Sequence, residues 1–369
     1  MKHNSPAKAH SELDPDRLIH LFDHIEPLPC DRWLASSALQ KAIRRGDVLT
    51  AQRAARTLYR ADPRAVWRRL LIIAFEDVGI GAIEGVTSTA ARVADAQMRR
   101  EAGGDEAAFL ATCRQLAEAP KDRSADLLFA AALHDPALEA VRAECRALSL
   151  PRRLDLVADR SRPLPERATA AWYASGVESR GERRVGVGDF PGLMRTYAGL
   201  GAPLKLLEAV ATGARKTREP ITVLLPLLWL EAAEGEANIL DDPLVPTGSV
   251  HGVPLYALDK HTRLGRQAIQ RFGRQNAEIA RFVKDYAPYS PNDGALRMAV
   301  FYADSALTRP SLRWEQSAEL ESLGAAADFY SVNAAVVVGV ALIRLVRENL
   351  AQLNAIRAEL LTRDLAHDR

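Results

Sequence analysis

The sequence predicts an all-α protein, a multi-helix array with a second helical block behind it, and three observations carry that reading. Apolar residues recur at three- and four-residue intervals between Gly, Pro or Asp stops. Ala, Leu, Arg and Glu are abundant while aromatics make up only 6% of the 369 residues, a composition that favours helix over strand. Alternating runs of β-branched and aromatic residues are scarce.

The elements follow in order. Residues 1–12 are polar and read as a disordered leader rather than a signal peptide. DPDRLIHLFDHI predicts a first helix capped by Asp14, with Pro15 in its first turn and Pro27 and Pro29 beyond its end. Ser36 or Ser37 is the expected cap of the next helix, which stops at Gly46. Asp47 opens a helix carrying Val48, Ala51, Ala55 and Leu58, and Asp62-Pro63 opens another that runs to Phe75 or Asp77 before Gly79 and Gly81. Further helices are expected from Asp105 to Glu118, Ser124 to His134 and Pro136 to Leu148, completing a helical domain over residues 13–150. PRRLDLVADRSRPLPER and ESRGERRVGVGDFPG read as a crossing segment and a loop or short hairpin, a linker over 151–190. The second block, 191–369, contains a long Pro-, Gly- and Asp-rich loop near 238–262. AAVVVGVALI, from Ala334 to Ile343, is too short to span a membrane and reads as a buried core helix. Cys30, Cys113 and Cys145 are odd in number and lack CxxC spacing, so a disulfide framework and a zinc ribbon are both unexpected and a reducing cytoplasm is the expected compartment.

A formal charge of +2 hides strong clustering. From Lys41 to Arg69 there are nine cations against Asp47 and Asp62, with Arg44, Arg45, Arg53 and Arg56 the candidate contacts for a phosphate backbone. The alternative is a set of solvated helix faces with a few internal ion pairs. LDKHTRLGRQAIQRFGRQ forms a second cluster. On a helix starting after Thr262, Arg263, Arg266, Arg271 and Arg274 share one broad sector, with Ile269 and Phe272 opposite. Asp259, His261 and Thr262 stand at its entrance, Thr262 or Asp259 being the expected cap. Asp241, Asp242, His251, Asp259 and His261 include ligand types for a divalent metal, but their spacing matches no metal motif, and a structural role for His261 is the preferred reading. His20 and His24 lie four residues apart without the glutamate or third ligand of HExxH. There is no GxSxG, no Gly-rich dinucleotide loop and no GxxxxGK[ST]; around Lys216, ATGARKTREP lacks the glycine spacing. No catalytic residue, metal or cofactor is therefore nominated.

Three stretches occur in a telling order: SALQKAIRRGD, RRLLIIAFEDVGIG and LAEAPKDRSADLLFAAA. They resemble the region C-terminal to the ATPase core in the RarA/MgsA family of AAA+ proteins, which includes the Werner-helicase-interacting proteins. The resemblance covers about residues 35–150. Arg45 stands where the family has a small residue, and Ala74-Phe75 precede Glu76-Asp77 where serine is usual. The resemblance implies a lid and clamp-loader-collar-like helical module without the motor. With it comes the expectation of a noncatalytic homo-oligomeric accessory protein of DNA replication, repair or mobile-element maintenance. Its expected partners are DNA phosphates or a replication ATPase, clamp or single-strand-binding protein, with no membrane. The rivals are a metal-dependent enzyme acting on nucleic acid or nucleotides through the Asp259-His261 loop, and a pure protein scaffold.

The motif also poses a local problem. Glu76 and Asp77 sit at a helix carboxyl end, where the dipole disfavours negative charge. A network in which Lys41, Arg44 and Arg69, or amides of the Ile43 to Asp47 turn, donate to Glu76 or Asp77 is expected to offset that position. The competing reading is a solvated helix end.

Overall fold

The computed structural model describes residues 24–178 and 185–367. The expected leader, residues 14–23 of the expected first helix, and His20 lie outside the described residues. The rest is a helical array, with four strands of two to four residues.

Local signals set the first boundaries. The helix Arg32–Arg45 starts earlier than its serines indicate, because Asp31 caps it, accepting from the amides of Trp33 and Leu34. Gly46, at φ 69°, closes it in the left-handed conformation. Asp47 caps Val48–Ala61 through the Thr50 amide, and Asp62 caps Pro63–Ile73 through the amides of Arg64 and Ala65. The helices Asp105–Glu118 and Ser124–His134 have the expected bounds, and Pro136–Leu148 resolves into a 3-10 turn, Pro136–Leu138, and the helix Glu139–Ala147.

The Pro63–Ile73 helix does not simply end. It widens into a π turn, Ala74–Val78, whose extra residue per turn rotates Asp77 to the inside, where it is fully buried. Gly79 then takes φ 51°, and a Cβ there would lie 2.5 Å from the carbonyl oxygen of Asp122. Only glycine satisfies both conditions. The same device recurs where the helix Gly294–Val300 widens into Phe301–Ser305 and turns Asp304 inward.

Two corrections concern the middle of the chain. The expected crossing segment is helical, Leu150–Ala158 and Leu164–Ser175, with Pro151 and Pro165 in first turns that tolerate the missing N–H. The larger apolar core runs straight through it: Phe75, Phe109, Trp172, Tyr197 and Leu228 belong to one cluster, covered by Phe190–Gly199, Leu204–Thr217 and Ile221–Ala232. A smaller core joins Ile269, Phe272, Phe301, Phe329, Leu342 and Leu353 from Arg263–Gln275, the π turn Phe301–Ser305, Ser317–Ser331, Val336–Glu348 and Leu350–His367. The expected long loop is partly ordered. Ala237–Leu240 pairs antiparallel with Ser311–Trp314, and Ser249–Val250 pairs with Val253–Pro254.

The apolar helix Val336–Glu348 is not the fully buried element its composition predicts. It turns Gly339, Leu342, Leu345 and Val346 inward but leaves Val337 and Val340 exposed by 75% and 62%. No single helix among the described residues is long and apolar enough to cross a membrane.

Candidate functional site: a charged cleft between two π turns

The Glu76-Asp77 pair is an internal anchor. Arg44 donates from Nε to Asp77, from Nη2 to Glu76 Oε1 at 2.8 Å and from Nη1 to the Ser305 carbonyl at 3.2 Å. Gln40 Nε2 donates to the other Asp77 oxygen at 2.8 Å, and Arg123 Nε approaches Asp77 Oδ1 at 3.3 Å while its Nη2 pairs with Asp126. A buried carboxylate held by two guanidiniums and an amide is stabilised where a bare helix end is not. Burial, then the neighbouring Asp77 and Asp126, push the Glu76 carboxyl up to about 7 against the pull of Arg44 and Arg123.

Two members of the expected network have other partners. Arg69 donates to Gln40 Oε1 rather than to Glu76, so it reaches Asp77 only through the amide. Lys41 turns the other way, to Asp259 Oδ2 at 2.9 Å and Ser37 Oγ at 2.7 Å, and Ser37 donates to the Ala257 carbonyl. This links the first described helix to the loop before Arg263. Burial lowers the Lys41 pKa, with Asp259 opposing and Arg44 adding to it. At Asp259 burial acts upward, but Lys41, His261 and their hydrogen bonds prevail and hold the carboxyl at about 2.

The second π turn repeats the arrangement. Asp304 accepts from Arg45 Nη2 at 2.6 Å and from Arg357 Nη1 at 2.7 Å, with all three side chains buried. Arg45 also lies 4.5 Å from the centre of the Tyr256 ring. Sequence reasoning missed Gln40, Arg123, Asp126, Lys260, Asp304 and Arg357. One signal was available for Asp304: a lone acid in the apolar helical run LRMAVFYADSAL.

The structure separates the arginines proposed for DNA. Arg44 and Arg45 are engaged by internal carboxylates with side chains 3% and 7% exposed, so neither presents an outer face to a DNA backbone, which corrects the expectation for this pair. Arg53 donates to the Glu26 carbonyl, and Arg56 to the Ile25 carbonyl while pairing with Glu106. On the second cluster Arg263 pairs with Asp364 and Arg271 with Glu359. Arg266 and Arg274 are exposed and donate to nearby carbonyls, Arg266 to those of Lys260 and His261 and Arg274 to that of Gln270; among the described residues neither meets a carboxylate.

The Asp259-His261 loop is a helix entrance. Asp259 Oδ1 accepts from the His261 amide at 3.0 Å, and Thr262 Oγ1 caps the following helix through the Gly265 amide at 3.0 Å. His261 thus ties the loop through its backbone. The residue keeps exposed surface at the cleft edge, with its ring centre 6.0 Å from that of Phe301. Desolvation in the cleft, joined by Lys260, Lys41 and Arg44 and opposed by Asp259, lowers its pKa. Asp241 pairs with Arg309, and no group of three His, Cys, Asp or Glu able to hold a metal ion occurs among the described residues. The metal-dependent alternative is left without a ligand set there.

These elements enclose a cleft of about 380 Å³, floored by Phe301 and rimmed by Trp33, with charged side chains on its walls. No family model, curated protein or solved structure matches the chain.

Proposed function

We propose that the chain is a noncatalytic, self-associating accessory protein of DNA replication, repair or mobile-element maintenance. In this reading it contacts the phosphate backbone through the outer face of Arg263–Gln275. The observation that carries it is the division of the arginines by the fold. Those of the first cluster are largely held by internal acids and carbonyls, whereas Arg266 and Arg274 keep no carboxylate partner among the described residues and face solvent. Two exposed guanidiniums without base-reading companions suit phosphate contact rather than sequence readout. The DNA setting comes from the ordered KAIRRGD, FEDVG and APKDRS stretches.

Reversing both charges, Arg266→Glu with Arg274→Glu, is expected to weaken binding equally for unrelated DNA sequences and to flatten the dependence of log affinity on log salt by up to about two phosphates. Fluorescence anisotropy at several salt concentrations measures both, and unchanged affinity and slope would remove the reading. Exposed Val337 and Val340, one turn apart, support self-association or docking of a replication ATPase, clamp or single-strand-binding protein. That observation equally favours the pure scaffold. Light scattering that finds only a 40.4 kDa species across the micromolar range argues against self-association.

A further inference from the structure

The charges lining the cleft between the π turns are unevenly paired. Five cationic side chains line it, Lys41, Arg44, Arg69, Arg123 and Lys260, against three carboxylates, Glu76, Asp126 and Asp328. Each carboxylate already has a partner in the protein. Glu76 is held by Arg44 and Asp126 by Arg123, while Asp328 accepts from the Tyr302 hydroxyl at 2.8 Å. Behind the wall Asp259 matches Lys41, and Asp77 is shared by Arg44 and Arg123, so cations and carboxylates are equal in number and differ in how they pair.

Two cations remain. Arg69 donates to the neutral Gln40, its buried Nε has no hydrogen-bond partner, and it meets no carboxylate among the described residues. Among the described residues Lys260 makes no direct ion pair: its Nζ lies 3.0 Å from the Met298 sulfur and 4.4 Å from the centre of the Phe301 ring, while burial lowers its pKa against the more distant charges of Asp328, Asp259 and Asp126. Thioether and ring are weak substitutes for oxygen acceptors around an ammonium. A guanidinium and an amine that line one cleft and make no direct ion pair leave donors for the oxygens of an anion. The helix Arg263–Gln275 adds the positive end of its dipole, since its cap Thr262 is part of the same wall. The volume, about 380 Å³, exceeds what a bare inorganic ion fills and falls in the range of small-ligand sites. At the rim Trp33 exposes 67% of its surface and offers a flat face to a ring carried by the ligand.

We propose that this cleft binds a phosphate monoester, with Arg69 and Lys260 as the principal contacts to its oxygens. A free nucleotide and the 5′-phosphorylated end of a strand share this chemistry. The site is separate from the outer arginines of Arg263–Gln275.

Isothermal titration of the full chain with inorganic phosphate, a nucleoside 5′-monophosphate, and an oligonucleotide with and without its 5′-phosphate tests the assignment. Saturable binding of at least one phosphate monoester, one per chain, is expected. Arg69→Gln and Lys260→Met are each expected to weaken it tenfold or more, and Arg152→Gln, an exposed site away from the cleft, to leave it unchanged. A preference for the nucleoside monophosphate over inorganic phosphate that Trp33→Ala removes points to free nucleotide. A preference for the 5′-phosphorylated oligonucleotide over its 5′-hydroxyl twin points to a strand end. Absence of saturable binding to the native chain for all the phosphates overturns the proposal without reference to any variant. So does binding that both cleft variants retain at full strength while their melting matches the native chain.

Discussion

Asp304→Asn removes one charge from a site where two buried guanidiniums depend on it. Arg357, with a fully buried side chain, has Asp304 as its carboxylate at 2.7 Å and is left with only Asn354 Oδ1 at 2.9 Å. Arg45 retains the Asp304 carbonyl at 2.8 Å and the Tyr256 ring. Asparagine preserves the shape and one acceptor oxygen, so the loss is chiefly that of neutralisation. Breaking a buried ion pair from one side costs about 3–5 kcal/mol. At about 2.1 cal/mol/K per residue, 369 residues give an unfolding entropy of roughly 0.8 kcal/mol/K. Melting is therefore expected to fall by about 4–6 °C if the chain unfolds as one unit. Circular dichroism melts of Asp304→Asn beside Glu118→Gln make the comparison. The Arg114–Glu118 pair is half-exposed on both sides, and its loss is expected to shift melting by no more than about 1 °C. Replacing Arg357 by Met in the Asp304→Asn background should recover part of the loss, since it removes one stranded charge. An Asp304→Asn chain that melts within a degree of native would refute the reasoning, because it would mean that water or another group neutralises both arginines.

Two further outcomes follow from the same physics. Asp77→Asn is expected to destabilise by about 3 kcal/mol, toward the lower end of the range because Arg44 keeps Glu76 and Arg123 keeps Asp126; an unchanged urea midpoint would return Glu76-Asp77 to the status of an ordinary helix end. Burial raises the Asp122 carboxyl to about 6, against hydrogen bonds from Ser124 and Trp314, so the folded chain binds a proton there that the unfolded chain, near 3.8, releases. Its contribution is complete below the unfolded value and is lost as pH rises through 6. Asp122→Asn should therefore gain on the native chain between pH 4 and pH 8, on the order of 2–3 kcal/mol, and parallel stability curves in urea would contradict it.

The parts of this fold that were legible in the sequence are those determined within a few residues. Asp47 and Asp62-Pro63 cap their helices through amides two or three positions on, and the bounds of Asp105–Glu118 and Ser124–His134 follow from similarly local stops. Pro151 and Pro165 misled for a local reason, since a proline in a first turn and a proline in a linker look alike from sequence. The candidate site was legible by halves. KAIRR and FEDVG identify Arg44 and Asp77 as partners, but nothing near Lys41 names Asp259, and nothing near Arg45 names an aspartate 259 residues away. A π turn has no reliable sequence signature of its own, so the inward rotation that makes Asp77 and Asp304 into anchors could not be read in advance. Exposure of Val337 and Val340 was equally hidden, because an apolar composition states what a helix can bury and not which of its neighbours will cover it.

The unequal reach of the two anchors imposes an order on synthesis. Arg44 and Asp77 are 33 residues apart and can meet while the chain is still short, whereas Arg45 must wait for Asp304, and Asp304 for Arg357 a further 53 residues on. Until residue 357 leaves the ribosome, the second π turn has only one of its two counter-charges, and the long loop it closes has not been secured. A nascent chain in that interval holds a nearly finished larger core beside an unsealed smaller one, a state open to chaperones and proteases. Leu350–His367 thus acts as a latch, and Arg357 is the tooth that engages it.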